Sequence, residues 1–113
     1  MLRSLGDLGG QNLVIRVFRA HVQPGRQAEF EAMARRLSVP LVQKQKGLLG
    51  FYAGQPLGHS KDEFVMVTLW DSVESIQAFV GPDWEQAVVP EEERPVLLDS
   101  FVHHYRAYAT SEG

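Results

Sequence analysis

The 113-residue sequence contains no cysteine. That removes disulfide staples, thiolate metal sites and a cysteine nucleophile together, and it fits a reducing, cytoplasmic setting. No apolar run approaches the roughly 20 residues that a membrane-spanning helix needs. Residues 1–11 carry one arginine and three glycines among scattered leucines, without the continuous apolar core of a secretory leader. Positive charge is also scarce. Eleven Lys and Arg stand against 14 Asp and Glu, for a net charge of −3. The basic residues are scattered, so the basic patch of a nucleic-acid surface is missing. No zinc spacing, phosphate loop, dinucleotide fingerprint or nucleophile elbow is present. Gly6-Asp7-Leu8-Gly9-Gly10 is too short and precedes no strand–helix unit. These absences predict a protein without metal, cofactor, membrane or nucleic-acid partner.

What remains is an ordinary globular composition, 44% hydrophobic and 22% charged. The length predicts one domain, residues 12–109, between a flexible N-terminal tail (1–11) and a short C-terminal tail (110–113). Residues 13–22 are rich in Val, Ile and Phe and read as a strand, stopped by Pro24-Gly25. Phe30, Met33, Ala34, Leu37 and Leu41 then share one helical face, with Pro40 expected to interrupt the helix near Val39. Residues 48–55 and 63–70 read as a hairpin of two strands. Asp71 is expected to cap a second helix whose apolar face is Val73, Ile76, Phe79 and Val80. A short helical turn carrying Trp84 follows, and 90–95 reads as a solvated connection. Residues 101–108 form the last strand.

The order is βαββαβ. It predicts a ferredoxin-like α+β domain with a four-stranded antiparallel sheet and its helices on one face. The central strands are apolar on both faces: Phe64, Met66 and Trp70 oppose Val65, Val67 and Leu69. An antiparallel sheet with one wet face alternates apolar and polar residues instead. The uncovered face therefore needs a partner, and a second copy of the chain is the simplest one. Burying ~400 Å² of it is worth roughly 10 kcal/mol before association costs.

The run from Val14 through Pro24-Gly25 into Phe30 resembles the antibiotic biosynthesis monooxygenase domain family. So do Gly47-Leu48-Leu49-Gly50-Phe51 and, most of all, the Leu69-Trp70-Asp71-Ser72-Val73-Glu74-Ser75 segment with Ile76 and Phe79. The resemblance covers about residues 13–108 and implies a dimeric α+β barrel. It also implies several activities: oxidation of phenols to quinones by O₂ without a cofactor, haem degradation, isomerisation, or ligand binding alone. Fold does not choose among them. Haem-degrading members use an Asn on the first strand, a Trp in the second helix and a His after it. The equivalent places here hold Phe18, Phe79 and Val89, and Asn12 is offset from the motif, which disfavours that branch.

Cofactor-free oxygenation requires a base, a group that holds the developing oxyanion, and an apolar pocket. The base candidates are His103 and His104, which point to opposite faces of one strand, so that only one enters a pocket. Arg16 is the candidate oxyanion holder, with a salt bridge as its alternative role. Phe18, Trp70, Phe79, Trp84 and Tyr52 are the candidate substrate-binding residues, and core packing is the alternative for Trp70. His59, with Gly58 and Ser60, reads as exposed loop, and His21, near the end of the first strand, has no clear partner. Three functions follow: a monooxygenase acting on a phenolic or quinol-like molecule, a module that binds such a molecule, or a structural dimer whose cleft is self-filled.

Overall fold

Branched and aromatic residues build the four strands: β1 (Val14–Val22), β2 (Leu48–Gly54), β3 (Glu63–Trp70) and β4 (Leu97–Arg106). The computed structural model describes residues 13–111, so the expected N-terminal tail lies outside the described residues. The strands form one antiparallel sheet in the order β2-β3-β1-β4. Helices α1 (Gln27–Arg36), α2 (Ser38–Gln43) and α3 (Val73–Val80) complete a ferredoxin-like α+β fold with an open sheet. None of these helices is long and apolar enough to cross a membrane.

Two core clusters lie between helices and sheet. Ala20, Val22, Phe30, Phe64 and Val96 form one; Val14, Val42, Trp70 and Ile76 form the other. The even-numbered residues of β1 and β3 therefore face the helices. Ile15, Val17, Val65, Val67 and Leu69 face away, in register with Tyr105, His103 and Phe101 of β4. That face is apolar around Ile15, Val17, Val67 and Leu69, as the strand pattern predicts, while Arg19, His21, Glu63 and Asp99 pair with one another at one end of it.

Four local expectations need correction. The helix break falls at Leu37, not near Val39. Pro40 has no N–H for the Arg36 carbonyl and its ring crowds that oxygen, so the disruption appears upstream, directly after Arg36. Pro40 itself sits comfortably in the first turn of α2. The cap of α3 is Ser72, whose Oγ accepts from the Ser75 N–H at 3.1 Å. Asp71 stands one residue before it and accepts from the hydroxyls of Ser72 and Ser75. Strand β4 begins at Leu97 rather than Phe101, because Val22 and His21 pair with Leu97 and Asp99 across a bulge. Asp99 and Ser100 disguise that extension in the sequence, and pairing overrides their low strand preference. Finally, 90–95 is not a solvated connection. Glu91–Val96 is a 3₁₀ segment in which Glu93 and Val96 are buried, while residues 82–85 ahead of it form a turn that carries Trp84.

Gly47 joins the two halves. Its φ is 88°, and a Cβ there would collide with the Ser75 hydroxyl at the head of α3. Its carbonyl accepts from the Asp71 N–H at 2.9 Å, which fixes the start of β2 against the end of β3.

Candidate active site

A cavity of about 690 Å³ lies between the helices and the inner face of the sheet. Phe18, Phe51, Phe64, Met66 and Phe79 supply much of its apolar wall. Among the described residues, four charged side chains also line it: Arg16, Glu31, Arg35 and Glu93. Glu31 and Arg35 pair with each other one helical turn apart, with Arg35 largely exposed. Arg16 and Glu93 are different, because both are buried.

Arg16 sits mid-way along β1, between Thr68 of β3 and His104 of β4. It is 5% exposed and forms no ion pair among the described residues. Its Nη1 donates to the Trp84 carbonyl at 2.7 Å and to His104 Nε2 at 2.8 Å. Those two bonds use both Nη1 hydrogens. Nε and Nη2 have no hydrogen-bond partner among the described residues, yet no side-chain nitrogen among those residues is fully buried without one. They therefore keep some access, on a residue that lines the cavity. Burial lowers the Arg16 pKa to about 10, which leaves the guanidinium charged at neutral pH.

His104 is the neutral member of this pair. Burial, then the Arg16 charge, then His103, lower its pKa to about 4. A neutral ring accepting at Nε2 carries its proton on Nδ1. The ring meets Trp84 edge-on, with centroids 4.5 Å apart. His104 thus orients Arg16, and its Nε2 lone pair is occupied and unavailable to take a substrate proton.

The antibiotic biosynthesis monooxygenase family profile matches residues 13–89. The chain belongs to this family. No curated protein sequence matches it significantly. Solved structures share its fold. A point mutant of SnoaB, a cofactor-independent oxygenase from Streptomyces nogalater, superposes with a TM-score of 0.70 at 19% identity, covering 88% of this chain and 97% of that one. The haem-degrading protein Rv3592 from Mycobacterium tuberculosis gives 0.65 at 19% identity over 89% and 97%. A conserved protein from Methanosarcina mazei Go1 gives 0.70 at 18% identity over 88% and 96%. The matched segment includes Arg16 but ends before Glu93 and His104.

The remaining sequence-predicted residues divide cleanly. Phe18 and Phe79 line the cavity. Trp70 is fully buried, stacks on Phe79 and donates from its indole to Thr68 Oγ1 at 2.8 Å, so it is core behind the wall rather than the wall itself. Trp84 contributes its carbonyl to Arg16, packs against the second core cluster, and lines a separate surface hollow with Glu85, Val102, His103, His104 and Tyr105. Tyr52 is 73% exposed and pairs with Val67, and His103 pairs with Val17. Both belong to the outer face, because strand alternation turns them away from the helices, and neither reaches the cavity. Glu93 escaped sequence reasoning, since it sits in an acidic run between prolines. One signal was available: residues three apart share a side of a 3₁₀ turn, and Val96 is apolar.

An NMR titration of the histidine ring nitrogens checks the Arg16–His104 pair. His104 is expected to stay neutral until the pH falls to about 4. Because its folded pKa lies below the unfolded value, the fold loses stability as pH falls from about 6.5 toward that midpoint. A His104 midpoint near 6.5 contradicts the pairing.

Proposed function

We propose that this protein is a cofactor-independent monooxygenase that oxidises a flat phenolic or quinol-like molecule with O₂. The observation that carries this reading is the buried Arg16 guanidinium, paired with no carboxylate and open toward an apolar cavity. Inside such a cavity, a cation with free N–H groups strongly favours the anionic form of a bound hydroxyl or enol. An electron-rich anion is the species that passes an electron to O₂. The overall change at a benzylic carbon is R₂CH₂ + O₂ → R₂C=O + H₂O. The carbon loses a proton, and the carbanion gives one electron to O₂. The resulting radical and superoxide join and are protonated to a hydroperoxide. Loss of the second C–H proton with O–O cleavage then releases water. In this reading Arg16 holds the oxyanion, His104 positions Arg16, and Phe18 and Phe79 form part of the ring-binding wall. The fold shared with SnoaB supports the same reaction class.

Haem degradation is the second reading, supported by the fold shared with Rv3592. We place it second because Phe18, Phe79 and Val89, the equivalents of the haem-handling residues, all present hydrocarbon to the cavity. A binding module without turnover would show ligand stabilisation and no O₂ uptake.

We also propose that a second copy covers the sheet's outer face. Val17, Val67 and Leu69 at its centre favour self-association, and two such faces packed together give the barrel that the family resemblance implies.

The enzymatic reading is tested with a dihydroxyanthrone in an oxygen electrode and with the matching quinone in a thermal-shift assay. Wild-type protein is expected to consume O₂ above the uncatalysed rate and to gain Tm with the quinone. Arg16→Leu is expected to fold, to lose the Tm gain and to lose at least ~100-fold in rate, or ~2.7 kcal/mol. A variant that binds and turns over like wild type removes Arg16 from the mechanism. For the dimer, light scattering is expected to give twice the chain mass for wild type and a monomer for Val67→Glu. A monomeric wild type overturns that proposal.

A further inference from the structure

The cavity wall contains a second buried charged side chain, one that the family match does not reach. Glu93 is 2% exposed and lines the same cavity as Arg16. Its Oε2 accepts from the Ser38 hydroxyl at 2.7 Å. Its Oε1 has no hydrogen-bond partner among the described residues, yet no unpartnered side-chain oxygen among them is fully sealed off, so this oxygen keeps some access on a residue that lines the cavity. A carboxyl group held at one oxygen and free at the other, in an apolar wall, has the geometry of a proton acceptor. No arginine or lysine among the described residues pairs with it: Arg35 is paired with Glu31, and Arg16 with His104 and Trp84. His104 cannot fill the role, because its lone pair is taken.

We propose that Glu93 is the general base of this site, taking the carbon-bound proton of a ring-fused ketone substrate on Oε1 while Arg16 holds the resulting enolate oxygen. The inference rests on the oxidation proposed above. It deepens that reading by naming the substrate class: a planar molecule with an acidic C–H and an oxygen that becomes anionic. In the proton-transfer step the C–H bond breaks and its electron pair moves into the enolate. The proton then resides on Glu93 and is available to the peroxide formed with O₂. Burial raises the Glu93 pKa, the Ser38 bond opposes that rise, and Glu92 adds to it. A raised pKa brings a carboxylate closer to the strength of a working base. Arg16 from β1, and Glu31 and Arg35 from α1, are the other charged groups on the cavity wall.

The test compares wild type with Glu93→Gln, an isosteric change that keeps an acceptor for Ser38. Three quantities are measured: quinone affinity, O₂ uptake on the dihydroxyanthrone, and Tm across pH 5–8. The variant is expected to bind the quinone within about threefold of wild type. Its O₂ uptake is expected to fall at least about a hundredfold, within the range for a lost general base. Its Tm is expected to match or exceed wild type most clearly at the high end of the pH range, where wild type buries a charge and the variant does not. Turnover within tenfold of wild type overturns the assignment while leaving the oxidation standing. Parallel loss of binding, turnover and Tm shows Glu93 to be a structural tie to Ser38 and also overturns it. Wild-type protein that neither binds the quinone nor consumes O₂ removes the oxidation itself, and the base with it.

Discussion

A guanidinium buried without a carboxylate is the constraint around which this site is organised. Taking Arg16 out of water is costly unless its hydrogens are satisfied. Here only one nitrogen is, by a backbone carbonyl and by a histidine held neutral. Neither partner cancels the positive charge. The guanidinium thus keeps a local attraction for an anion, and two of its nitrogens have no partner among the described residues. A carboxylate partner would have lowered the cost of burial and erased that attraction.

The rest of the fold keeps this arrangement in place. Strand register sets Thr68 and His104 on either side of Arg16. Thr68 also satisfies the Trp70 indole, which lets a large ring fill the core behind the cavity without an orphaned donor. Pro40 breaks the first helix at Leu37, and the break sets Ser38 at the head of α2, where its hydroxyl meets Glu93. Gly47 allows α3 to approach β2 closely enough for Ile76 and Phe79 to cover one end of the sheet. Each of these is a local feature of chain geometry with a consequence at the cavity.

Much of this was legible in the residues. The alternation in 14–22 and 63–70 revealed both strands and the two apolar faces, because side chains alternate with period two whatever the context. The same alternation placed Arg16, Phe18 and the even residues of β3 on one face. Adjacency of His103 and His104 implied that only one could face the helices, and register with Arg16 identifies it as His104. What could not be read were features made by distant parts of the chain. The Trp84 carbonyl is a backbone group without a sequence signature. The acceptor role of His104 depends on a contact 88 residues away. Glu93 looked like surface because its neighbours are charged, and only the 3₁₀ turn buries it. Ser72 took the cap from Asp71 because a one-residue shift in a helix start leaves no trace in an Asp-Ser pair.

The most direct measurement is NMR of the Arg16 guanidinium during titration with a dihydroxyanthraquinone. In the free protein the Arg16 Nε–H, which has no partner among the described residues, is expected to exchange with water. A bound oxygen anion on Nε and Nη2 shifts that resonance and protects it from exchange, whereas saturating naphthalene, which fills the cavity without an oxygen, leaves it unprotected. An Arg16 resonance unchanged at saturating dihydroxyanthraquinone contradicts the claim that this buried charge is the ligand's anchor.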